Sequence, residues 1–399
     1  MKKPAWLFVV LTLALSSAPR AIAAQDDHSN MKKKPTTLVD DDKVQCPTAK
    51  FTSIQAAVDA ANPGDSIRVC AGIYAEQVVI SKPLTLEGDN GAIVIPGAVT
   101  TNGSDIPSGT PVAAVILVKD AQVVEIEGLI VDGSNNGISG CSPDFKGILY
   151  QNTSGVIQHN AVRHIRLSPA FPGCQSGEAI EVETASGANS DVVIHDNSVW
   201  DYQKNGVTAN EIGTQAAVDS NTVTGLGPTP AIAQNGIQIA FGATGSVTGN
   251  SVADNVFSAC VSPEQCATNA AGILIFESDS VDVENNTAGT NQIGIFIGGK
   301  KSRVRNNFVF NATVLIGIAL VGDNNQVRRN NITHSDEAAV YIQGNGNNIQ
   351  NNEITDAAIG ILKISGSTGT TRSGNTFFAT PIEVQDPAPS AAMKVVPAH

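Results

Sequence analysis

The chain has 399 residues, of which 42% are hydrophobic, 5% aromatic and 15% charged, with a formal net charge of −13. A chain this acidic repels nucleic acid and anionic membrane surfaces, which excludes both as partners, and it meets an anionic polysaccharide only through Ca²⁺ or a local basic patch. Length alone allows about two to three average domains, but no Pro/Gly/Ser linker interrupts residues 50–380, so one elongated repeat domain fits better.

Residues 1–24 have the form of a signal peptide. Lys2 and Lys3 give a basic start, Trp6 to Leu15 an apolar core, and Ala21-Ile22-Ala23 a small-residue cleavage site. The apolar run is too short to span a bilayer. Its removal takes Lys2, Lys3 and Arg20 with it and brings the net charge from −13 to −16. Nothing later reaches membrane length, so the expected product is a secreted or periplasmic monomer with no membrane insertion. Residues 25–45 read as a flexible segment.

An N-terminal cap follows. Thr52 or Ser53 can N-cap a short helix with Ile54, Ala57, Val58 and Ala61 on one face, and Asn62-Pro63-Gly64 stops it. Such a helix covers the first coil and blocks end-to-end stacking. Strands with Ile67/Val69, Val78/Ile80, Leu84/Leu86 and Ile93/Ile95 pointing inward come next.

Internal repetition then decides the fold. The pattern aliphatic-x-x-Asn-x-apolar begins at Ile157…Asn160…Val162 and recurs with Asn197, Asn221, Asn250, Asn286, Asn307, Asn330 and Asn352. A ninth copy at Asn375 has Arg372 where the aliphatic should be. Successive asparagines lie 37, 24, 29, 36, 21, 23, 22 and 23 residues apart. The short intervals are one coil; the long ones are coils with an insertion. Upstream of several copies stands Gly-aliphatic-x-aliphatic, as in Gly236-Ile237-Gln238-Ile239 and Gly294-Ile295-Phe296-Ile297, which alternates at the strand period. Each coil therefore reads as a Gly-Ile strand, a polar turn, a strand ending near the Asn, a sharp bend and a third short strand. Stacking such coils in parallel buries a continuous aliphatic column. An Asn at every bend can bond to the next as a ladder and tolerates a left-handed backbone. The expected fold is all-β: a single-stranded right-handed parallel β-helix over residues 46–380, with its capping helix and a flexible tail at 381–399.

Six cysteines in an exported protein can pair. Because a solenoid keeps sequence neighbours close, the expected pairs are Cys46–Cys70, Cys141–Cys174 and Cys260–Cys266, serving as staples.

The segments Phe51-Thr52-Ser53-Ile54-Gln55-Ala56-Ala57-Val58, Pro63-Gly64-Asp65, Gly72-Ile73-Tyr74-Ala75-Glu76 and Val131-Asp132-Gly133, with the Asn repeats, resemble the pectin-lyase-like right-handed parallel β-helix proteins. These include pectate lyases, pectin methylesterases, polygalacturonases, alginate epimerases, tailspikes, adhesins and periplasmic β-helix repeat proteins. The likeness spans roughly residues 50–380 and implies a polysaccharide or glycan partner. Polygalacturonase and methylesterase motifs are missing in order, whereas the scattered acidic Ca²⁺ ligands and basic proton acceptor of a pectate lyase need no contiguous motif.

The outward positions of the Gly-Ile strands read, coil by coil, Leu149/Gln151, Glu181/Glu183, Thr208/Asn210, Gln238/Ala240, Leu274/Phe276, Phe296/Gly298, Ala319/Val321 and Tyr341/Gln343. Glu181 and Glu183 point to the same side, so they are candidates for calcium ligation or for acid and base work, against the alternative of two solvated glutamates. His164 and Arg166 precede them, with Asp132, Asp144 and Lys146 upstream and Asp201 and Lys204 after. If the insertion 163–178 folds over the Glu181 strand, Glu181, Glu183, His164, Arg166 and Lys204 form a lyase-like catalytic cleft. Phe276, Phe296 and Tyr341 form a stripe that either stacks on sugar faces or is covered by the C-terminal tail or a partner. Two functional classes stand side by side: a polysaccharide lyase or related enzyme, and a non-catalytic surface scaffold, adhesin or glycan-binding module.

Overall fold

The computed structural model describes residues 36–106, 108–259, 269–312 and 315–388. Short strands stack coil upon coil with parallel registers. The second strand of each coil joins a 13-stranded sheet, and the other two columns merge into a 23-stranded sheet through the long strands Asn331–Ile342 and Glu353–Ile364. Among the described strands, only Gly103–Ser104 runs antiparallel to its neighbour. The chain is a parallel β-helix.

Three columns of aliphatics make the core. Val207, Ile237, Ile273, Ile295, Ile318, Val340 and Ile361 follow one another in register, as do Ile157, Ile194, Val218, Val247, Val283, Val304, Val327 and Ile349. All are fully buried. Each coil therefore buries the same positions, and the hydrophobic gain repeats along the axis.

The asparagine ladder closes one corner. Asn307 Nδ2 donates to Asn330 Oδ1 at 2.9 Å and to Val283 O at 2.9 Å, and Asn307 N also donates to Asn330 Oδ1. The same pattern links Asn160 through to Asn375. One detail differs from expectation. The left-handed residue is the one before each ladder Asn: His159, Asp196, Ser220, Gly249, Asn285, Asn306, Arg329, Asn351 and Gly374. The bend thus divides its two tasks between neighbours, one turning the chain and the next bonding along the axis. Two shorter ladders, Asn255–Asn291 and Asn325–Asn347, tie other corners.

Ser53 caps the helix Ile54–Ala60, whose Ile54, Ala57 and Val58 are buried. Glu76 completes the cap by accepting from Ile54 N (2.7 Å), Gln55 N (2.9 Å) and Ser53 Oγ (2.8 Å). Three expectations are corrected. In the strand Ala92–Val94 it is Ala92 and Val94 that face inward, because Val94 stacks under Val131, and Ile93 and Ile95 lie at the other phase. Thr37–Val39, placed in the flexible segment 25–45, is a strand paired with Asp65–Val69. Ile382–Ala388, placed in the flexible tail, pairs with Glu353–Ile364. In both cases an end strand gains a ready-made row of backbone partners. Residue 372, the odd member of the repeat, does stack on Ile349, and its guanidinium reaches Asp386 at 3.2 Å.

Disulfides join Cys46 to Cys70 and Cys141 to Cys174 as expected. The signal peptide 1–24 and the pair Cys260–Cys266 lie outside the described residues. No described helix is long and apolar enough to cross a membrane.

Candidate functional site

The outward row stacks in the anticipated register, Leu149 beside Glu181, Thr208, Gln238, Leu274, Phe296, Ala319 and Tyr341 in turn. It is buried, however, rather than solvent-facing. Glu181 and Glu183 are each 1% exposed, and Phe296 and Tyr341 are 2% and 3% exposed. Phe296 and Tyr341 belong to a second apolar cluster with Leu274, Ile316 and Leu362, and Phe276 packs against its edge. In these positions their rings are packing surfaces.

The structure also divides the expected catalytic constellation in two. The first group is a buried charge cluster on the strands Asp144–Gln151 and Glu178–Glu183. Lys146 Nζ lies 2.8 Å from Asp144, 3.1 Å from Glu178 and 2.5 Å from Glu181. Glu183 accepts from Gln151 Nε2 at 2.6 Å and from Ile106 N at 3.1 Å, and Asn210 Nδ2 reaches Glu181 at 3.4 Å. Lys204 Nζ donates to Ala233 O at 3.0 Å. Glu178 sits opposite Lys146 in the parallel register, three residues before Glu181. Sequence reasoning began the outward row at Leu149 and so missed it; running the row back three residues would have found it.

Burial dominates the electrostatics of this cluster. It pushes Glu178 up to about 8 and Glu183 up to about 9, with like charge from Asp144 and Glu181 adding to the effect. Glu181 is also raised by burial, and Lys146 partly offsets this. Burial pulls Lys146 down, but the surrounding carboxylates outweigh it and hold the ammonium well above its usual range. Lys204 falls to about 8 through burial, with Glu178 opposing. The cation among these carboxylates is thus the chain's own ammonium. It takes the central place that Ca²⁺ would need if held by Glu181, leaving Glu183 tied to Gln151 and Ile106 N.

The second group lines an open cleft of about 450 Å³ formed by residues 133–138, 164 and 166–169, where His164 and Arg166 stand among Ser134, Asn136 and Ser168. These are the connections that follow the short strands Ile130–Asp132 and Ala161–Arg163 in adjacent coils. The Cys141–Cys174 bridge staples the two connections. Gln203 holds the upper one by accepting from Leu167 N and donating to Phe171 O and Cys174 O. Asn136 bonds across to Arg166 O.

His164 is the centre of this group. Its Nδ1 is 2.9 Å from Asp132 Oδ1 and its Nε2 is 3.4 Å from Asp201 Oδ2. Arg163 Nε reaches Asp132 at 2.7 Å, and Arg166 Nε reaches Asp201 at 3.0 Å. The two carboxyls diverge. Burial would raise Asp132, but hydrogen bonds from Ser134, His164 and Arg163 outweigh it, and the net shift is downward. Burial raises Asp201, against the pull of Arg166 and His164. The two carboxyls on either side of the imidazole thus shift in opposite directions, Asp132 down and Asp201 up. Of the five residues expected in one cleft, His164 and Arg166 therefore meet each other here, and Glu181, Glu183 and Lys204 lie in the buried cluster.

The family described as "Periplasmic copper-binding protein (NosD)" matches residues 235–391. No curated protein matches the chain. Among solved structures, the lacto-N-biosidase of Eubacterium ramulus aligns with a TM-score of 0.56 at 12% identity, covering 87% of this chain and 68% of that one. A PL6 alginate lyase in complex with a trisaccharide gives 0.56 at 11% identity, covering 92% and 91%. The Dettilon tailspike protein gives 0.55 at 18% identity, covering 79% and 62%. These likenesses bear out the parallel β-helix resemblance at the level of fold. Two disulfides fit an oxidising compartment. Copper is poorly served in residues 235–391, which contain no Met and only Cys260, Cys266 and His334 as soft or imidazole donors. His334 is bound to Asp356 at 2.8 Å, and both cysteines lie outside the described residues.

Proposed function

We propose that this chain is a cell-envelope protein acting on an anionic polysaccharide, with the cleft around His164 as its active site. The observation that carries the reading is the Asp132–His164–Asp201 arrangement at an open cleft rimmed by Arg166. The structural neighbour named as an alginate lyase supports the substrate class, and the periplasmic family supports the compartment. The Glu181 group then acts as a buried frame for the strand next to the cleft.

The reaction this geometry suits best is β-elimination of a uronate chain. Asp132 holds His164 Nδ1 at 2.9 Å, and Nε2, which stands 3.4 Å from Asp201 at the cleft, is the nitrogen that takes the proton α to the sugar carboxylate. Arg166 offers the charge that acidifies this proton by pairing with that carboxylate. Removing the proton forms a carbon–carbon double bond and breaks the bond to the glycosidic oxygen, which leaves as an alkoxide and takes a proton from water in the open cleft. The products are an unsaturated uronate and a new chain end. Ser134 and Ser168, which line the cleft, supply hydroxyl partners for sugar hydroxyls.

Incubation with alginate and pectate, with neutral glycans as controls, should yield unsaturated uronate ends. His164→Ala should slow their formation by roughly 10²–10⁴-fold, the usual range for a general base. Full activity in that variant would overturn the assignment. A second reading is favoured by the family match over residues 235–391: a non-catalytic periplasmic binding module. Glycan binding without product from any bound glycan would establish that reading instead.

A further inference from the structure

Charge is unevenly spread along this acidic chain. Residues 300–329 hold six of its 24 Lys and Arg, namely Lys300, Lys301, Arg303, Arg305, Arg328 and Arg329, against one acidic residue, Asp323. These cations fall in two successive coils. Arg303–Arg305 and Gln326–Arg328 are neighbouring strands of the 13-stranded sheet, with Arg305 paired directly to Arg328. Val304 and Val327 are buried at the middle of these strands, so Arg303, Arg305 and Arg328 project outward. Arg329 follows at the exposed left-handed bend.

Part of this charge is neutralised between coils. Arg303 pairs with Asp282 and Arg305 with Glu284, each one coil below. Arg328 continues the same column without such a partner. Arg305 stands on one side of it and Gln350 on the other, and its Nε makes no hydrogen bond. Among the described residues, no carboxylate pairs with Arg328 or Arg329; the carboxylates nearby in the fold are taken by Arg303, Arg305, Lys363 and Arg372. Cations directly opposite each other in a sheet repel. Pairing between coils therefore accounts for Arg303 and Arg305, and leaves a positive edge that an anion from outside would balance.

We propose that Arg328 and Arg329, flanked by Arg305, bind a carboxylate-bearing polysaccharide on the face of the 13-stranded sheet. This inference rests on the function proposed above only for the class of polymer. The site itself is separate from the cleft. His164 follows the ladder rung at Asn160, five ladder steps below Asn307. At ~4.8 Å per coil, the patch stands about 24 Å from the cleft along the axis.

Three features favour a polysaccharide. A planar guanidinium pairs with a carboxylate through two parallel N–H donors. The outward positions around and above Arg328 are neutral and polar: Gln326, Asn348, Gln350, Thr371 and Ser373. They offer amide and hydroxyl partners to sugar hydroxyls, and none of them carries the apolar side chain that a lipid surface would take up. A local cluster of this kind also lets a chain of net charge −13 meet an anionic polymer.

The test is binding of the whole chain to immobilised alginate, pectate and neutral dextran, and to phosphatidylglycerol vesicles. The His164→Ala background is used throughout so that no polymer is consumed. Alginate or pectate should be bound at low salt and released as salt rises, and dextran should not be bound. Arg328→Gln/Arg329→Gln should weaken polymer binding by at least about tenfold. Lys43→Gln, which removes an exposed cation elsewhere, should leave it unchanged. Unchanged affinity in the double variant would overturn the site, as would an equal loss in Lys43→Gln. Binding to vesicles alone, or to no polymer at all, would overturn it too. The cleft is read separately: with His164 intact, the double variant should form unsaturated ends from short oligouronates at the parent rate. Loss of product in His164→Ala and loss of binding in the arginine variant thus report on different sites. Matching melting curves confirm that the variants fold.

Discussion

Single side chains carry both the stability of the bend and the pH response of the interior. Asn307 illustrates the first. Its amide bonds upward to Asn330, back to Val283 O, and accepts from Asn286 N and Nδ2. Truncation by Asn307→Ala leaves several of these groups unsatisfied in a dry corner, each at roughly 1–3 kcal/mol. A loss of about 3 kcal/mol in denaturant melts is expected, and an unchanged midpoint would contradict the ladder. Glu183 illustrates the second. Its folded pKa of about 9 and that of Glu178 at about 8 lie above the ordinary 4.5. Between these limits the folded chain holds protons that the unfolded chain has released. Their contribution is fully present below about pH 4.5 and fades as pH rises toward 8 and 9. Lys146 titrates above this window and does not reverse it. Glu183→Gln should therefore flatten the fall of melting temperature between pH 5 and 8 and melt higher than the parent at pH 8. A parallel slope would show that the carboxyl is solvated after all.

Elements in this protein are specified by what stacks on them. The recurrent glycine of the Gly-Ile strands forms a column through Gly206, Gly236, Gly272, Gly294 and Gly317, each facing the backbone of the next coil. A Cβ on Gly294 would meet Gly317 O at 2.6 Å and also press on Val309. Gly294→Ala should cost roughly 1–3 kcal/mol as an overpacked contact, read as a lower melting temperature with unchanged β circular dichroism. The column ends in Ala339 beside Gly317, where the register of the long strand shifts, so the geometry can yield locally. Much of this level was legible in the residues. The Gly-Ile strand, the bend Asn and the capping Ser53 all sit where the pattern put them. Misreadings came where a neighbouring coil decided the outcome. Val94 rather than Ile93 or Ile95 faces inward because Val131 lies above it, and Ile382–Ala388 is a strand because Glu353–Ile364 offers it an edge.

At the scale of the whole molecule, the two described cross-links act between coils. Cys46–Cys70 ties the strand-bearing N-terminal segment to the end of the strand Asp65–Val69, with a sequence separation of 24. Closing a loop of that length stabilises by about 3 kcal/mol in the chain-entropy account. Cys46→Ser/Cys70→Ser should accordingly lower the melting temperature, while His164-dependent activity at low temperature persists. Loss of activity without loss of stability would mean that the cap communicates with the cleft. The two charge groups also belong to this scale. His164 and Arg166 lie on the connection after one column, whereas Glu181, Glu183 and Lys204 lie on the outer side of another.

Periodicity along the chain was enough to specify the β-helix, its inward columns and its ladder, because each of these repeats once per coil and stacking multiplies one local rule, while the nearness of successive coils paired Cys46 with Cys70 and Cys141 with Cys174. The division of the candidate residues depended on the path of the 163–178 connection and on what covers the outer faces. Neither repeats, so neither leaves a period to read. Burial turned an apparent pair of surface carboxylates into a framework around Lys146. The turn after Arg163 carried His164 away from them, onto Asp132 and Asp201.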